Sequence, residues 1–209
     1  MKKIYFVFAL IAGIFMTSCT TDITLELNKD GSVSAEFKGA AGEGFAKLIK
    51  AATGAKDGQV IFDTNNIEYE LSKSGLSDVK AVSKTGVDLK VSMKDKSKKS
   101  VFFNSDLIRI ENNKLKLKLS PSTLKKYYDE SDEQIKMYLD MLLSPVFMDE
   151  EISESEYLDF VGSIYGKEVS KELESSLVNI VIKNPDGSSK KHVISMSQLL
   201  TLSETILLE

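Results

Sequence analysis

The sequence is poor in the residues on which most catalytic and metal-binding sites depend. Its 209 residues include one cysteine, one histidine, three prolines and no tryptophan. A single histidine excludes a metal site built from several imidazoles, and a single cysteine excludes both an internal disulfide and a pair of cysteine ligands. The folded chain must therefore be stabilised by its hydrophobic core, and no metal or cofactor site is predicted.

Enzyme motifs are almost absent as well. The sequence has no G-x-S-x-G, no H-E-x-x-H, no P-loop and no C-x-x-C. His192, the one histidine, follows Lys190 and Lys191 in a predicted edge strand, which is typical of a surface residue. We therefore predict a protein that is not an enzyme and has no catalytic residues.

Two short matches to penicillin-binding enzymes are best explained by chance. Residues 122–125 fit S-x-x-K and residues 84–86 fit K-T-G. Their order along the chain is reversed, no S-D-N motif accompanies them, and K-T-G is predicted to form a hairpin turn. An envelope hydrolase is kept only as an unfavoured alternative.

Bulk composition and charge indicate a globular domain without a strong nucleic-acid signature. The chain is 42% hydrophobic and 28% charged, with a formal net charge of −4. Removal of residues 1–18 takes away Lys2 and Lys3 and no acid, which would leave −6. This negative net charge argues against nucleic acid as a partner and against adhesion to anionic lipid by net charge alone.

The first 22 residues have the organisation of an export signal. Lys2 and Lys3 precede an uncharged, mostly apolar run over residues 4–16, and small side chains follow. A membrane-spanning helix needs about 20 apolar residues, so this run is too short to be a comfortable permanent anchor. The alternative to lipid attachment is a simple secretory signal that leaves a free thiol on Cys19.

Met16-Thr17-Ser18-Cys19 resembles the lipobox of bacterial lipoproteins. Met replaces the usual Leu, and Thr replaces the commoner Ala or Ser. The resemblance implies cleavage after residue 18, lipidation of Cys19 with fatty-acyl groups such as palmitate, and a lipidated tether over residues 19–22. Two or three acyl chains anchor a protein stably, so the membrane is the predicted partner. Thr20 and Thr21 lack an acidic inner-membrane retention signal, which favours an exported protein on the outer membrane.

Residues 23–209 are predicted to form one α+β domain with a largely antiparallel sheet. Alternating apolar residues on both sides of Asn28-Lys29-Asp30-Gly31 predict an N-terminal hairpin. Helices are predicted over 43–53 and 64–74, the latter capped by Thr64 or Asn65 and ended by Gly75. Further predicted elements are strands at 79–84, 87–93, 107–111 and 114–119, a helical insertion at 121–176 that is interrupted at Gly162 or Gly166, a C-terminal hairpin over 177–183 and 192–195, a short helix at 197–202 and a last strand near Ile206.

This order of elements is similar to the LppM-like domain of some bacterial envelope lipoproteins. The similarity rests on the first hairpin, on a helix that ends in Lys73-Ser74-Gly75, and on the Asn184-Pro185-Asp186-Gly187 turn before a short strand. The helical insertion at 121–176 departs from that domain. The resemblance implies an envelope domain that binds amphiphiles.

The most apolar stretch outside the signal covers residues 135–148. Its candidate residues for contact with a ligand or partner are Ile135, Tyr138, Leu139, Met141, Leu142 and Phe147. A helix buried against the sheet is the favoured interpretation. The alternative is the wall of an apolar pocket for an acyl chain or peptide, since methionine-rich surfaces accept varied partners.

Two charged clusters and one turn also suggest binding but have simpler explanations. The acids at 149–151, Glu154 and Glu156 are typical of a solvated helix start, with weak cation or basic-partner binding as the alternative. The lysines within 94–99 predict a solvated loop, with contact to lipid headgroups as the alternative. Asn28, Asp30 and Gly31 resemble part of a calcium loop, but the downstream acidic ligand is missing.

Together these features predict a lipid-anchored envelope lipoprotein whose non-enzymatic domain binds another macromolecule or has a structural role. The main alternative is a lipid-binding or lipid-transfer lipoprotein with a pocket lined by the 135–148 helix.

Overall fold

A computed structural model describes residues 20–53, 62–104, 106–130 and 152–209. The described strands form two sheets, a six-stranded sheet in the order β3-β4-β2-β1-β7-β8 and a three-stranded sheet in the order β5-β6-β9. Their bounds are β1 Thr20–Leu27, β2 Val33–Ala40, β3 Ser77–Val82, β4 Asp88–Asp95, β5 Ile108–Glu111, β6 Lys114–Leu119, β7 Leu177–Lys183, β8 Ser189–Ser195 and β9 Ile206–Leu208.

The described helices lie in four of the connections between strands. They are α1 Glu43–Thr53, α2 Thr64–Lys73, α3 Val101–Asn104, α4 Pro121–Glu130, α5 Glu154–Tyr165, α6 Lys167–Ser175 and α7 Met196–Leu200. None of the helices within the described residues is long and apolar enough to cross a membrane. The predicted α+β class with a largely antiparallel sheet is confirmed.

The N-terminal hairpin forms as its sequence predicts. β1 and β2 pair antiparallel, with Leu27 opposite Val33, and Gly31 takes the positive φ of 78° that the turn requires. The Asp30 carboxylate accepts a hydrogen bond from the Ser32 backbone N–H at 2.9 Å, which closes the turn. Because turn and register are both local, this element is readable from the sequence alone.

The centre of the large sheet is a parallel pair that joins the two ends of the domain. β1 pairs with β7 from Thr20 opposite Leu177 to Glu26 opposite Lys183. All the other strand pairs described in the two sheets are antiparallel. The hairpins β1–β2 and β7–β8 therefore form one continuous surface, although they lie at opposite ends of the sequence.

One face of the six-stranded sheet carries most of the hydrophobic core. Leu25, Phe37, Val91 and Ile180 are among its inward residues, and each is at most 5% exposed. They share a single buried cluster with apolar side chains from the helices and from the small sheet, among them Phe45, Leu71, Leu173, Leu115 and Leu208. Helices and small sheet therefore cover the same face of the large sheet, as strict alternation along each strand requires.

The residue that caps the start of α2 differs from the prediction. The N-cap of α2 is Asp63, whose side chain accepts from the Asn66 N–H at 3.0 Å, and the predicted caps Thr64 and Asn65 were wrong. Asp63 has the same capping chemistry one residue earlier. Gly75 follows α2 with a φ of 95°, and Gly166, at 97°, separates α5 from α6.

The small sheet contains the last strand of the chain. β5 and β6 pair across Asn112 and Asn113, which both have positive φ, 52° and 59°, as a two-residue hairpin turn demands. β9 then pairs with β6, with Leu208 opposite Leu117. The described part of the predicted 121–176 insertion is helical, and residues 131–151 lie outside the described residues.

Candidate functional site

The second face of the six-stranded sheet is polar. Strand alternation places Glu26, Glu36, Lys94 and Lys183 on it, opposite in direction to the buried residues of the same strands. Its remaining outward residues include Asp22, Thr24, Ser34, Lys38, Lys80, Lys90, Ser92, Asn179, Val181, Lys191 and Val193. We call this surface the open face, and its mixture of charges and hydroxyls suits polar ligands.

The open face has two distinct ends. The proximal end is where β1 begins at Thr20, one peptide unit after Cys19. The distal end is where β1 finishes at Leu27, about 23 Å away at the usual rise of a strand. Three turns lie side by side there because β4, β2, β1 and β7 are neighbours, and they cover residues 28–32, 95–100 and 184–188.

A groove of about 410 Å³ lies on the distal half of the open face. Carboxylates, ammonium groups and hydroxyls contribute to its lining. The lining residues are Thr24, Glu26, Ser34, Ala35, Glu36, Asp78, Ser92, Met93, Lys94 and Lys183. Such a surface can hold a polar ligand by hydrogen bonds and ion pairs but offers little apolar contact.

Glu36 is the electrostatic centre of the groove wall. Its carboxylate contacts the Lys38 Nζ at 2.8 Å and the Lys90 Nζ at 2.7 Å. Hydrogen bonds from these two lysines, Lys38 first, lower the pKa of Glu36, and the same contact raises the pKa of Lys38. Glu36 is therefore held as a charged, partnered carboxylate, which suits a structural or binding role better than proton transfer.

Glu26 and Lys183 differ from this network. They lie opposite each other across the parallel pair, yet neither forms an ion pair within the described residues. Both side chains line the groove. In the groove lining they are the two charged side chains without an ion pair among the described residues.

The loop after β4 is held rigidly at the distal end. Asp95, only 3% exposed, accepts hydrogen bonds from the backbone N–H groups of Ser97, Lys98 and Ser100 at 3.1, 2.6 and 3.1 Å. Lys98 adopts a φ of 55°, which non-glycine residues rarely take. The lysines of the loop are therefore presented from a fixed backbone rather than from a loose chain.

The first turn and this loop are joined by contacts of opposite charge. Lys94 Nζ lies 3.3 Å from the Asp30 carboxylate, and hydrogen bonds from Ser32 lower the pKa of Asp30 to about 2. Lys96 Nζ lies 3.2 Å from the carboxylate of Asp78. Asn28 and Asp30 use their polar atoms within the turn, which agrees with the preference for a turn over a calcium loop.

The predicted candidate residues with the most specific roles cannot be placed on this surface. Cys19 and the apolar set Ile135, Tyr138, Leu139, Met141, Leu142 and Phe147 lie outside the described residues. Lipid attachment and the pocket along 135–148 therefore remain predictions.

His192 and Ser122 lie in ordinary surface settings. His192 is on the edge strand β8, as predicted, and its Nε2 lies 3.2 Å from the main-chain oxygen of Glu209. Ser122 is exposed in the first turn of α4. Thr85, in the K-T-G sequence, donates from its N–H and hydroxyl to Asp88, so this stretch forms the turn between β3 and β4 that was predicted.

The described part of the acidic run is used to cap helices. Glu156 and Ser153 form a reciprocal capping box at the start of α5. The Glu154 carboxylate accepts hydrogen bonds from the hydroxyls of Ser195, at 3.1 Å, and Ser197. Among the residues that the structure describes, no group of three or more His, Cys, Asp or Glu side chains is arranged to hold a metal ion.

Comparisons with protein-family models, with curated proteins and with solved structures give no match for this chain.

Sequence reasoning missed the groove because it depends on two pairings between strands that are not neighbours in sequence, β2 with β4 and β1 with β7. The strands were predicted, with alternation stated for the N-terminal hairpin, but nothing local indicates that Lys183 lies beside Glu26. One signal was present: charged or hydroxyl residues recur at alternate positions of β1, β2 and β4. Such recurrence on three strands indicates one shared polar face.

Proposed function

We propose that this chain is an exported lipoprotein that presents a non-enzymatic binding domain from a membrane through lipid on Cys19. The observation that carries the proposal is the position of β1. It begins at Thr20, the residue after the lipobox cysteine, and it is a central strand of the large sheet. A lipid on Cys19 would thus be joined to the rigid sheet through one peptide unit, without a flexible linker.

The binding surface in this proposal is the distal part of the open face. The groove offers Glu26 and Lys183 without ion-pair partners in the described part of the chain, beside hydroxyls of Thr24, Ser34 and Ser92. These are groups that recognise polar partners by hydrogen bonds and charge. A partnered carboxylate such as Glu36 fixes the wall of the groove and supplies no reactive proton.

The anchor is tested by metabolic labelling with a fatty acid in a bacterial host. We expect the wild-type chain to carry the label and Cys19→Ser to lose it, because the thiol is the predicted attachment site. The control is Cys19→Ser combined with Ser188→Cys, which restores a thiol on an exposed turn and should stay unlabelled. A label that persists in Cys19→Ser would refute the anchor.

A further inference from the structure

Positive charge is concentrated at the distal end of the sheet. Six lysines and five acids on or beside the three turns give this end a formal charge of +1, although the whole chain carries −4. We call these residues the basic tip: Glu26, Lys29, Asp30, Asp78, Lys94, Asp95, Lys96, Lys98, Lys99, Lys183 and Asp186. The tip borders the groove, since Asp78, Lys94 and Lys183 line both.

Negative charge is concentrated elsewhere. Helices α5 and α6 carry six acids and two lysines, a formal charge of −4. Two of these acids contact the proximal half of the molecule: Glu154 accepts from Ser195, at the end of β8, and Glu172 accepts from Gly44 at 2.6 Å, in the first turn of α1. The charge separation along the strands directs an anionic partner to the distal end.

The lysines of the tip are arranged on a fixed frame. The buried Asp95 carboxylate holds the 95–100 loop, and Lys94 and Lys98 both reach the first turn, at Asp30 and beside Gly31. Lys29, Lys98 and Lys99 form no ion pair within the described residues. Binding an anion therefore costs little ordering of the backbone, which favours affinity.

The chemistry of the tip selects among anions. Residues 28–32, 94–100 and 183–188 contain lysine but neither arginine nor an aromatic residue. Ammonium groups bind phosphates as point charges, without the bidentate geometry of arginine and without stacking on bases. This set fits a densely charged, flexible phosphate polymer and does not fit base recognition in a nucleic acid.

The length of β1 separates the tip from the bilayer in the proposed arrangement. If Cys19 is the anchor, as proposed, and the strands stand upright on the bilayer, the tip lies about 23 Å from the lipid attachment point. Surface charges separated by more than about 10 Å are largely screened at 0.1 M salt. We propose that the basic tip binds a linear, phosphate-bearing polyanion on the side facing away from the membrane.

The test is a titration of fluorescein-labelled polyphosphate with the purified full chain in non-ionic detergent, followed by anisotropy between 20 and 200 mM salt. The variant is Lys96→Gln, Lys98→Asn and Lys99→Gln together, with asparagine at 98 because it tolerates positive φ. We expect at least a tenfold loss of affinity at 50 mM salt. The slope of log affinity against log salt should become shallower by about 2, since each contact contributes about 0.7.

The matched control removes the same charge from other exposed helices, as Lys126→Gln, Lys167→Gln and Lys171→Gln. It should keep wild-type affinity and slope. If the tip variant unfolds by circular dichroism, the pair Lys29→Gln and Lys99→Gln replaces it, with an expected slope change of about 1.4. Wild-type affinity in a folded tip variant, or an equal loss in the control, overturns the inference.

Two competition experiments distinguish a phosphate polymer from free phosphate and from lipid headgroups. Free inorganic phosphate should not compete at matched phosphate concentration, because a single anion contacts few lysines. Detergent micelles doped with phosphatidylglycerol should compete only weakly, and strong lysine-dependent competition would assign the tip to a membrane surface instead. If the wild-type chain is labelled at Cys19 but does not bind polyphosphate, this inference alone is overturned. If the wild-type chain binds polyphosphate but carries no label, only the anchor is overturned.

Discussion

Aspartate side chains shape the turns of this protein residue by residue. Asp30 and Asp186 each accept a hydrogen bond from the N–H two residues further on, at 2.9 and 2.8 Å, and Asp95 does the same before continuing to Lys98. Aspartate commonly forms this local hydrogen bond in turns, so the turns at 28–31 and 184–187 were predictable from sequence. The burial of Asp95 was not, because it depends on β4 pairing with β2 across the sheet.

A single residue, Asp88, makes the stability of the fold depend on pH. The Thr85 hydroxyl and N–H, followed by the Lys84 N–H, lower its pKa from 3.8 to about 2. A pKa that is lower in the folded state stabilises the fold above pH 3.8, and this contribution is lost as pH falls through 2. Urea unfolding between pH 2 and 6 should show Asp88→Asn less stable than wild type at pH 6, with the difference shrinking below pH 4.

The cause of that shift can be checked separately. Thr85→Val removes the hydroxyl that contributes most, and it should flatten the wild-type profile part of the way towards that of Asp88→Asn. A constant difference between wild type and Asp88→Asn down to pH 2 would contradict the assignment.

A contact between two distant helices caps the start of α1. The Glu172 carboxylate, on α6, accepts from the N–H groups of Gly44 and Phe45 at 2.6 and 3.1 Å and so caps α1 from 128 and 127 residues away in sequence. Helix α1 itself was predicted with its correct bounds because its apolar stripe is local. The cap of α1 could not be predicted from the sequence, because no residue near α1 in sequence supplies it.

Glu172→Gln should destabilise the fold by about 1 kcal/mol, because a charged acceptor at a helix N-terminus is replaced by a neutral one. The loss should appear in urea unfolding and as faster hydrogen exchange at the first amides of α1. Glu168→Gln is the control, since this exposed acid on the same helix makes only a 3.6 Å contact with Lys47. Equal effects of the two changes would show that Glu172 does not act as a cap.

For the whole molecule, the class of fold was predictable and the arrangement of the sheet was not. Alternation and turn residues identify each hairpin, and the order of elements indicates α+β. The pairing of β1 with β7, and the separation of β5, β6 and β9 into a second sheet, depend on contacts between remote segments. The candidate site shares this limit, because its charges come from strands that are brought together by the pairing of β2 with β4 and of β1 with β7.

Two neighbouring residues of β7 test which face carries the stability. Ile180 is 1% exposed in the core, whereas Val181 lies on the open face. Ile180→Ala should lower the free energy of unfolding by about 2–5 kcal/mol, through lost burial and the cavity left behind. Val181→Ala should cost well under half as much, measured by urea unfolding at pH 7. Similar losses for both would mean that the open face is also packed.

The parallel pair at the centre of the sheet has a consequence for the timing of folding. Asp22 and Asn179 touch across it, yet 157 residues separate them, so the first strand is synthesised long before its central partner. Long-range pairings of this kind form slowly, because the loop between them must be ordered before the contact is gained. β7 occupies Leu177–Lys183, so the large sheet cannot be completed until the last sixth of the chain is synthesised. For the exported chain proposed above, this late completion leaves the sheet unformed in the state that a secretion channel accepts.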